Sequence, residues 1–66
     1  MVASLLIGCS PEQKEAMYMK RAGRYFEAKD FDKAQVEYMN VIRVNSKNPL
    51  ALTRLGLIAS DKGDLQ

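Results

Sequence analysis

The feature that most constrains the fold is the spacing of apolar residues in the first half of the chain. Tyr18, Ala22, Tyr25 and Phe26 recur at intervals of three and four residues, and Met19 lies at the edge of the same set. Such intervals place side chains on one side of an α-helix. Because that side is apolar, it must pack against another element, so we expect a fold built by helix packing.

The residues before this pattern are typical of a helix start. Ser10 can act as the N-cap, Pro11 suits the first helical position, and Gln13 occupies the reciprocal position of a capping box. The sequence therefore predicts a first helix over 11–29.

A second helix is predicted directly after the first. Lys29 and Asp30 interrupt the apolar spacing, and Asp30 can cap a helix that continues to Val44. Because the connection is short, the two helices should form an antiparallel hairpin. The apolar positions of the second helix are Phe31, Ala34, Val36, Tyr38, Val41 and Ile42.

A polar turn separates this hairpin from a third predicted helix. Asn45 tolerates a left-handed helix end, Asn48 can cap the next helix, and Pro49 suits its first position. The third helix should end near residues 62–63, which makes the fold class all-α. Its apolar and small residues are Leu50, Leu52, Leu55, Gly56 and Ala59.

Composition narrows the classes of function. The chain of 66 residues has ten basic and eight acidic residues, and the basic ones are scattered, so we do not expect nucleic-acid binding. It has no His and a single Cys, which removes His-based triads, His or paired-Cys metal sites and any intrachain disulfide. The tyrosines lack an accompanying base. We therefore expect no catalytic residue, no metal, no cofactor and no enzymatic activity.

The chain resembles itself at an offset of about 34 residues, the period of a tetratricopeptide repeat. The paired residues agree in size or charge, although Arg21 opposite Leu55 does not. The pairs are Tyr18 with Leu52, Lys20 with Arg54, Ala22 with Gly56, Asp30 with Asp64 and Phe31 with Leu65.

The run 30–38, Asp-Phe-Asp-Lys-Ala-Gln-Val-Glu-Tyr, resembles the centre of a tetratricopeptide repeat (TPR), and Leu55-Gly56 and Gly63-Asp64 resemble parts of a second repeat. Small residues such as Ala22, Ala34 and Gly56 let helices approach closely, and aromatic residues such as Tyr25 and Tyr38 fill the space beside them. Three positions depart from the family pattern, with Arg21 for a usual Leu, Lys29 for the turn Gly and Val41 for a usual Ala. An unrelated three-helix bundle with the same spacing stays open as an alternative.

The resemblance implies an α-solenoid of about one and a half repeats, with the first repeat over 15–48 and the start of a second over 49–66. Since roughly three repeats are needed for stability, we expect the natural gene product to continue into further repeats. TPR arrays bind peptides or partner helices on a concave groove, and the resemblance implies a protein or peptide partner here. The implied groove residues are Ala16, Met19, Gly23, Phe26, Glu27, Leu50, Thr53, Leu57 and Ser60.

The N-terminal residues resemble a bacterial lipobox. Residues 1–8 are an uncharged apolar segment, and Leu6-Ile7-Gly8 precedes Cys9, so that 9–14 holds the lipobox Cys and the helix start. The resemblance implies cleavage before Cys9 and a diacylglyceryl group on its sulfur, which anchors the protein to a membrane. No Lys or Arg precedes Cys9, in contrast to a complete secretory signal. The alternatives are a misplaced start, a fragment boundary, or an apolar tail whose Cys is a small hydrophobic residue.

The lipobox and the repeats together suggest a bacterial envelope TPR lipoprotein that scaffolds an assembly. Ser10 after the Cys implies the periplasmic face of the outer membrane rather than retention at the inner one. One alternative is a cytosolic TPR adaptor. Another is a small amphipathic protein that binds a membrane surface through its apolar segment and the basic first helix. No run reaches the ~20 apolar residues that a transmembrane helix needs.

Overall fold

The computed structural model describes residues 10–61, which form three α-helices and no strand. Helix α1 spans Pro11–Glu27, α2 spans Phe31–Val44 and α3 spans Pro49–Asp61. The prediction of an all-α fold is confirmed, and α1 ends two residues earlier than expected.

Helices α1 and α2 form an antiparallel hairpin. Near the connection, the rings of Phe26 and Phe31 meet edge to face with centroids 5.6 Å apart. Farther from it, the guanidinium of Arg21 lies 3.5 Å from the Glu37 carboxylate. Residues earlier in α1 therefore pair with residues later in α2, as an antiparallel hairpin requires.

Helix α3 packs on α2 and reverses direction again. Its N-cap Asn48 contacts Glu15 near the start of α1, and Arg54, farther along α3, lies over Phe26 near the end of α1. The middle of α3 reaches the middle of α2, where Arg54 Nη1 donates a hydrogen bond of 2.8 Å to the Tyr38 hydroxyl. Contacts of α3 with α1 are fewer than those with α2. The layout of the described residues is thus a hairpin with a third helix against its second arm.

The connection between α1 and α2 is a Schellman turn centred on Lys29. The Lys29 N–H donates to the Phe26 carbonyl at 3.0 Å and the Asp30 N–H donates to the Tyr25 carbonyl at 2.9 Å. This pattern requires a left-handed residue, and Lys29 has φ of 62°. Lys29 therefore adopts the conformation that glycine adopts at lower cost.

The left-handed helix end expected at Asn45 is not present. Asn45 is extended, with φ of −142°. Its side-chain oxygen accepts a hydrogen bond of 3.1 Å from the Lys47 N–H, so the side chain rather than a left-handed backbone organises the turn.

The three predicted N-caps are confirmed. Ser10 Oγ accepts from the Gln13 N–H at 3.3 Å, and Asp30 Oδ1 accepts from the Lys33 N–H at 3.4 Å. Asn48 Oδ1 accepts from the Ala51 N–H at 2.9 Å. Each bond satisfies a backbone donor that has no partner within its helix.

The core lies along α2. Its fully or almost fully buried members come from all three helices, and the predicted face of α1 packs around them half-buried. Ala22 and Ala34 have no exposed area, as expected for small residues at a close helix approach. The buried residues are Ala22, Ala34, Tyr38, Val41, Ala51 and Ile58.

Two apolar positions of the predicted pattern are exposed, and one small residue does not lie at a close helix approach. Val36 is 59% exposed because it lies two residues from both Ala34 and Tyr38, which turns it to the opposite side of α2. Leu52 is exposed, since α3 presents Ala51 and Ile58 to the hairpin instead. A Cβ added at Gly56 would meet no atom within 4 Å, so no described helix approaches it closely.

None of the described helices is long and apolar enough to cross a bilayer. The lipobox-like segment with Cys9 and the predicted end of the third helix near residues 62–63 lie outside the described residues.

Candidate functional site

Part of the predicted groove lies along one exposed side of α1. An open depression there, which we call the α1 groove, is formed by five residues of this helix and its C-cap residue Ala28. Met19, Gly23 and Glu27 belong to it, whereas Ala16 is exposed one turn before Met19. A Cβ added at Gly23 would meet no atom within 4 Å, so the surface is open there. The α1 groove consists of Met19, Lys20, Gly23, Arg24, Glu27 and Ala28.

Phe26, also predicted for the groove, is half-buried in the packing between helices. Its ring meets Phe31 at a centroid distance of 5.6 Å and Tyr38 at 6.3 Å, both edge to face. The Arg54 guanidinium carbon lies 4.5 Å from the centroid of the same ring. Phe26 therefore links the three helices, and little of it is available to a ligand.

The predicted residues of α3 form an exposed strip. Leu50, Thr53, Leu57 and Ser60 follow one another at intervals of three and four, so they share one side of the helix. All four are exposed, and Leu50 and Leu57 retain 43% and 55% of their area. The structure thus places two predicted surfaces on α1 and α3, and Phe26 and Arg54 lie where these helices approach.

Arg54 is the site residue that sequence reasoning missed. It is half-buried, its Nη1 donates to the Tyr38 hydroxyl at 2.8 Å, and its cation lies over the Phe26 ring. An arginine held by a ring face and a hydroxyl keeps a fixed position. The only signal was its pairing with Lys20 in the self-comparison, which indicated a shared charge and no contact.

The basic residues of α1 are in different environments. Arg21 forms an ion pair with Glu37 at 3.5 Å, which joins α1 to α2, and donates a hydrogen bond of 3.5 Å to Met17 Sδ within α1. Lys20 and Arg24 instead line the α1 groove beside Glu27. The groove thus combines two cations and one carboxylate with the apolar Met19 side chain.

The turn between α2 and α3 is tied to α1 by a carboxylate. Glu15 Oε2 accepts hydrogen bonds from Asn48 Nδ2 at 2.6 Å and from Asn45 Nδ2 at 2.9 Å. These bonds, first that from Asn48 and then that from Asn45, lower the pKa of the Glu15 carboxyl. Since Asn48 also caps α3, this network fixes the start of α3 relative to α1.

The tyrosines considered in the sequence lie in packing positions. Tyr38 is fully buried, Tyr25 lies under the Lys33 ammonium at 5.7 Å, and Tyr18 lies beside Arg21 at 5.9 Å. Among residues 10–61, no group of three or more acidic, His or Cys side chains could hold a metal ion. Cys9, the predicted lipidation site, lies outside this range.

Comparisons with protein-family models, curated proteins and solved structures return no match. Inferences about function therefore rest on the residues of the chain and on their geometry.

Proposed function

We propose that the chain is a TPR-type protein-interaction module, held at a bacterial envelope membrane by a lipid on Cys9, and that it binds a protein or peptide rather than catalysing a reaction. The observation that carries this proposal is the direct succession of two features. The lipobox-like run ends at Cys9, and the next residue, Ser10, caps the first helix of the hairpin.

The packing of the hairpin supports the TPR-type part of the proposal. Ala22 and Ala34, the small residues on which the resemblance rests, are fully buried, and so is the aromatic Tyr38. The left-handed Lys29 occupies the position where the family has a turn Gly. These are the steric roles that the family pattern assigns to small, aromatic and turn positions.

The exposed surfaces support a binding role. The α1 groove offers an apolar side chain beside charges of both signs, and the strip on α3 offers Leu50 and Leu57. Exposed apolar side chains rimmed by polar ones are typical of protein-binding surfaces. The parallel course of α1 and α3 would let one extended peptide contact both.

The anchoring is tested by the intact mass of the native protein from a bacterial membrane fraction, measured beside a Cys9→Ala variant. We expect a mass that lacks residues 1–8 and carries acyl chains, and the substitution should abolish both changes. An unmodified chain in the soluble fraction would overturn the anchoring and leave a cytosolic adaptor.

The binding surface is tested by placing a photo-crosslinking residue at Gly23 in the α1 groove, and as a matched control at Val36 on α2. Both positions are open, because a Cβ at Gly23 meets nothing and Val36 is 59% exposed. We expect a discrete adduct in cells from position 23 only, and Lys20→Glu with Arg24→Glu should reduce it. Equal adducts from both positions would contradict a role of the groove.

A further inference from the structure

We propose that one end of the helical hairpin lies against the phosphate layer of an anionic phospholipid bilayer. This end, which we call the anchor end, consists of the first turn of α1, residues 10–15, together with the end of α2 and the α2–α3 turn, residues 43–48. The inference rests on the proposed anchoring at Cys9 and adds which surface faces the lipid.

The first step is the absence of a linker between the anchor and the fold. Cys9 is bonded to Ser10, and consecutive Cα atoms are about 3.8 Å apart. Ser10 is already part of the helix start, since its carbonyl accepts from the Lys14 N–H at 3.0 Å and its Oγ accepts from the Gln13 N–H at 3.3 Å. A lipid on the Cys9 sulfur therefore holds the start of α1 at the headgroups.

The second step places the α2–α3 turn at the same level. Glu15 follows Ser10 by five residues, about 7.5 Å along a helix axis. Its carboxylate holds Asn45 at 2.9 Å and Asn48 at 2.6 Å, one at each side of the turn. The α2–α3 turn therefore lies beside the first turns of α1, at the same end of the hairpin.

The third step is charge. The anchor end has three exposed cations, Lys14, Arg43 and Lys47, against two carboxylates, Glu12 and Glu15. Among the described residues, the opposite end has three cations against four carboxylates, so an anionic surface favours the anchor end over the other. The charged residues of the opposite end are Arg24, Glu27, Lys29, Asp30, Asp32, Lys33 and Asp61.

The experiment uses the single thiol of the full chain. Cys9 is coupled to a maleimide lipid in vesicles of phosphatidylcholine alone or mixed with phosphatidylglycerol, and lysine acetylation is followed by mass spectrometry. We expect Lys14 and Lys47 to react several-fold more slowly on the phosphatidylglycerol vesicles, roughly fivefold for one basic residue held at an anionic surface. Lys20 and Lys29 should react equally on both vesicles.

Two further measurements identify what protects Lys14 and Lys47 from acetylation. High salt should remove it, because exposed charges are screened. Inorganic phosphate added to the uncoupled chain should not reproduce it, because the lipid surface rather than a phosphate site is the partner. Equal rates for all four lysines on both vesicles would overturn the inference, as would selective protection of Lys20 and Lys29.

Charge reversal provides a matched pair of variants. On phosphatidylglycerol vesicles we also expect slower amide exchange of residues 45–48 than on phosphatidylcholine vesicles. Lys14→Glu, Arg43→Glu and Lys47→Glu together should abolish this difference. Lys20→Glu, Arg24→Glu and Lys29→Glu should leave it unchanged, with circular dichroism confirming helicity in both. If the first variant fails to fold, the lysine rates of the wild-type chain decide alone. Because Cys9 is coupled chemically, a wrong orientation is distinguishable from a missing acylation in cells.

Discussion

The α1–α2 hairpin and helix α3 differ in how completely they bury their apolar residues. In the hairpin, Ala22, Ala34 and Tyr38 have no exposed area, and the ion pair of Arg21 with Glu37 spans the two helices at 3.5 Å. The two helices of the hairpin thus bury most of each other's apolar residues. A helix pair of this kind keeps its geometry because close approach and ring packing constrain each other.

Helix α3 is apolar over most of its circumference but is covered on one side. Ala51 and Ile58 are buried, whereas Leu50, Leu52 and Leu57 keep 43%, 50% and 55% of their area. A helix that is apolar on several sides is typical of one covered on several sides. Because few contacts hold α3, this helix should separate from the hairpin more easily than α1 and α2 separate from each other.

The largest effect is expected from replacing the residue of α2 that packs against both α1 and α3. Tyr38→Ala removes a fully buried ring and the acceptor of the Arg54 hydrogen bond. The expected cost is about 3–5 kcal/mol, and a domain this small rarely has more than about 3–5 kcal/mol to lose. Circular dichroism should show loss of most helical signal. Met39→Ala, at a neighbouring position that is 47% exposed, should change stability by no more than about 0.5 kcal/mol.

A somewhat smaller effect should separate the two regions. Ile58→Ala removes the largest buried side chain of α3 and should cost about 2–4 kcal/mol. Because α1 and α2 also pack directly on each other, amide exchange should rise in α3 while α2 stays protected. The matched control is Leu57→Ala, which alters a 55% exposed neighbour and should leave exchange unchanged. Equal loss of protection in α2 and α3 would show that the two regions unfold as one.

The hairpin can also be strengthened without a new contact. Lys29 has φ of 62°, a conformation that costs a non-glycine residue about 1–2 kcal/mol, and glycine loses more entropy on folding. Lys29→Gly should therefore stabilise the chain by about 0.5–1 kcal/mol in urea denaturation. Lys20→Gly, within α1, should destabilise it by about 1 kcal/mol. Destabilisation by both variants would contradict the left-handed turn.

The smallest effect is expected from removing the hydrogen bonds that join Glu15 of α1 to the α2–α3 turn. The two asparagine amides lower the pKa of Glu15 below the ordinary value of 4.5. The carboxylate therefore contributes stability above the ordinary pKa, and this contribution is lost as the pH falls through the lowered pKa. Denaturation from pH 6 to pH 3 should show a weaker acid dependence in Glu15→Gln than in the wild-type chain. Asn45→Ala, which keeps one donor, should be intermediate, and an unchanged dependence in Glu15→Gln would exclude the tie.

Local signals predicted the elements because their causes are local. Ser10, Asp30 and Asn48 cap helices through hydrogen bonds to backbone groups three residues away. The apolar spacing of α1 likewise predicted the face that packs around the core. Errors arose where a distant residue decides, as at Leu52, whose exposure depends on which side of α3 meets a neighbouring helix.

In the candidate site, too, residues with local causes were predicted and residues that depend on distant partners were missed. The resemblance predicted Met19, Gly23 and Glu27, and they lie together because positions four apart share a helix side. Arg54 was missed because its partners, Tyr38 and Phe26, lie on other helices. No local pattern indicates that an arginine will be held by a hydroxyl and a ring.

By itself, the sequence determined the three helices, their caps, the antiparallel hairpin and the small residues at its close approach. These follow from backbone hydrogen bonding and side-chain size within a few residues. The tertiary structure alone decided that Ala51 and Ile58 rather than the neighbouring leucines are buried, and that Glu15 holds the α2–α3 turn. The physical reason is that burial and side-chain pairing depend on the relative rotation of packed helices, which is set by all their contacts together.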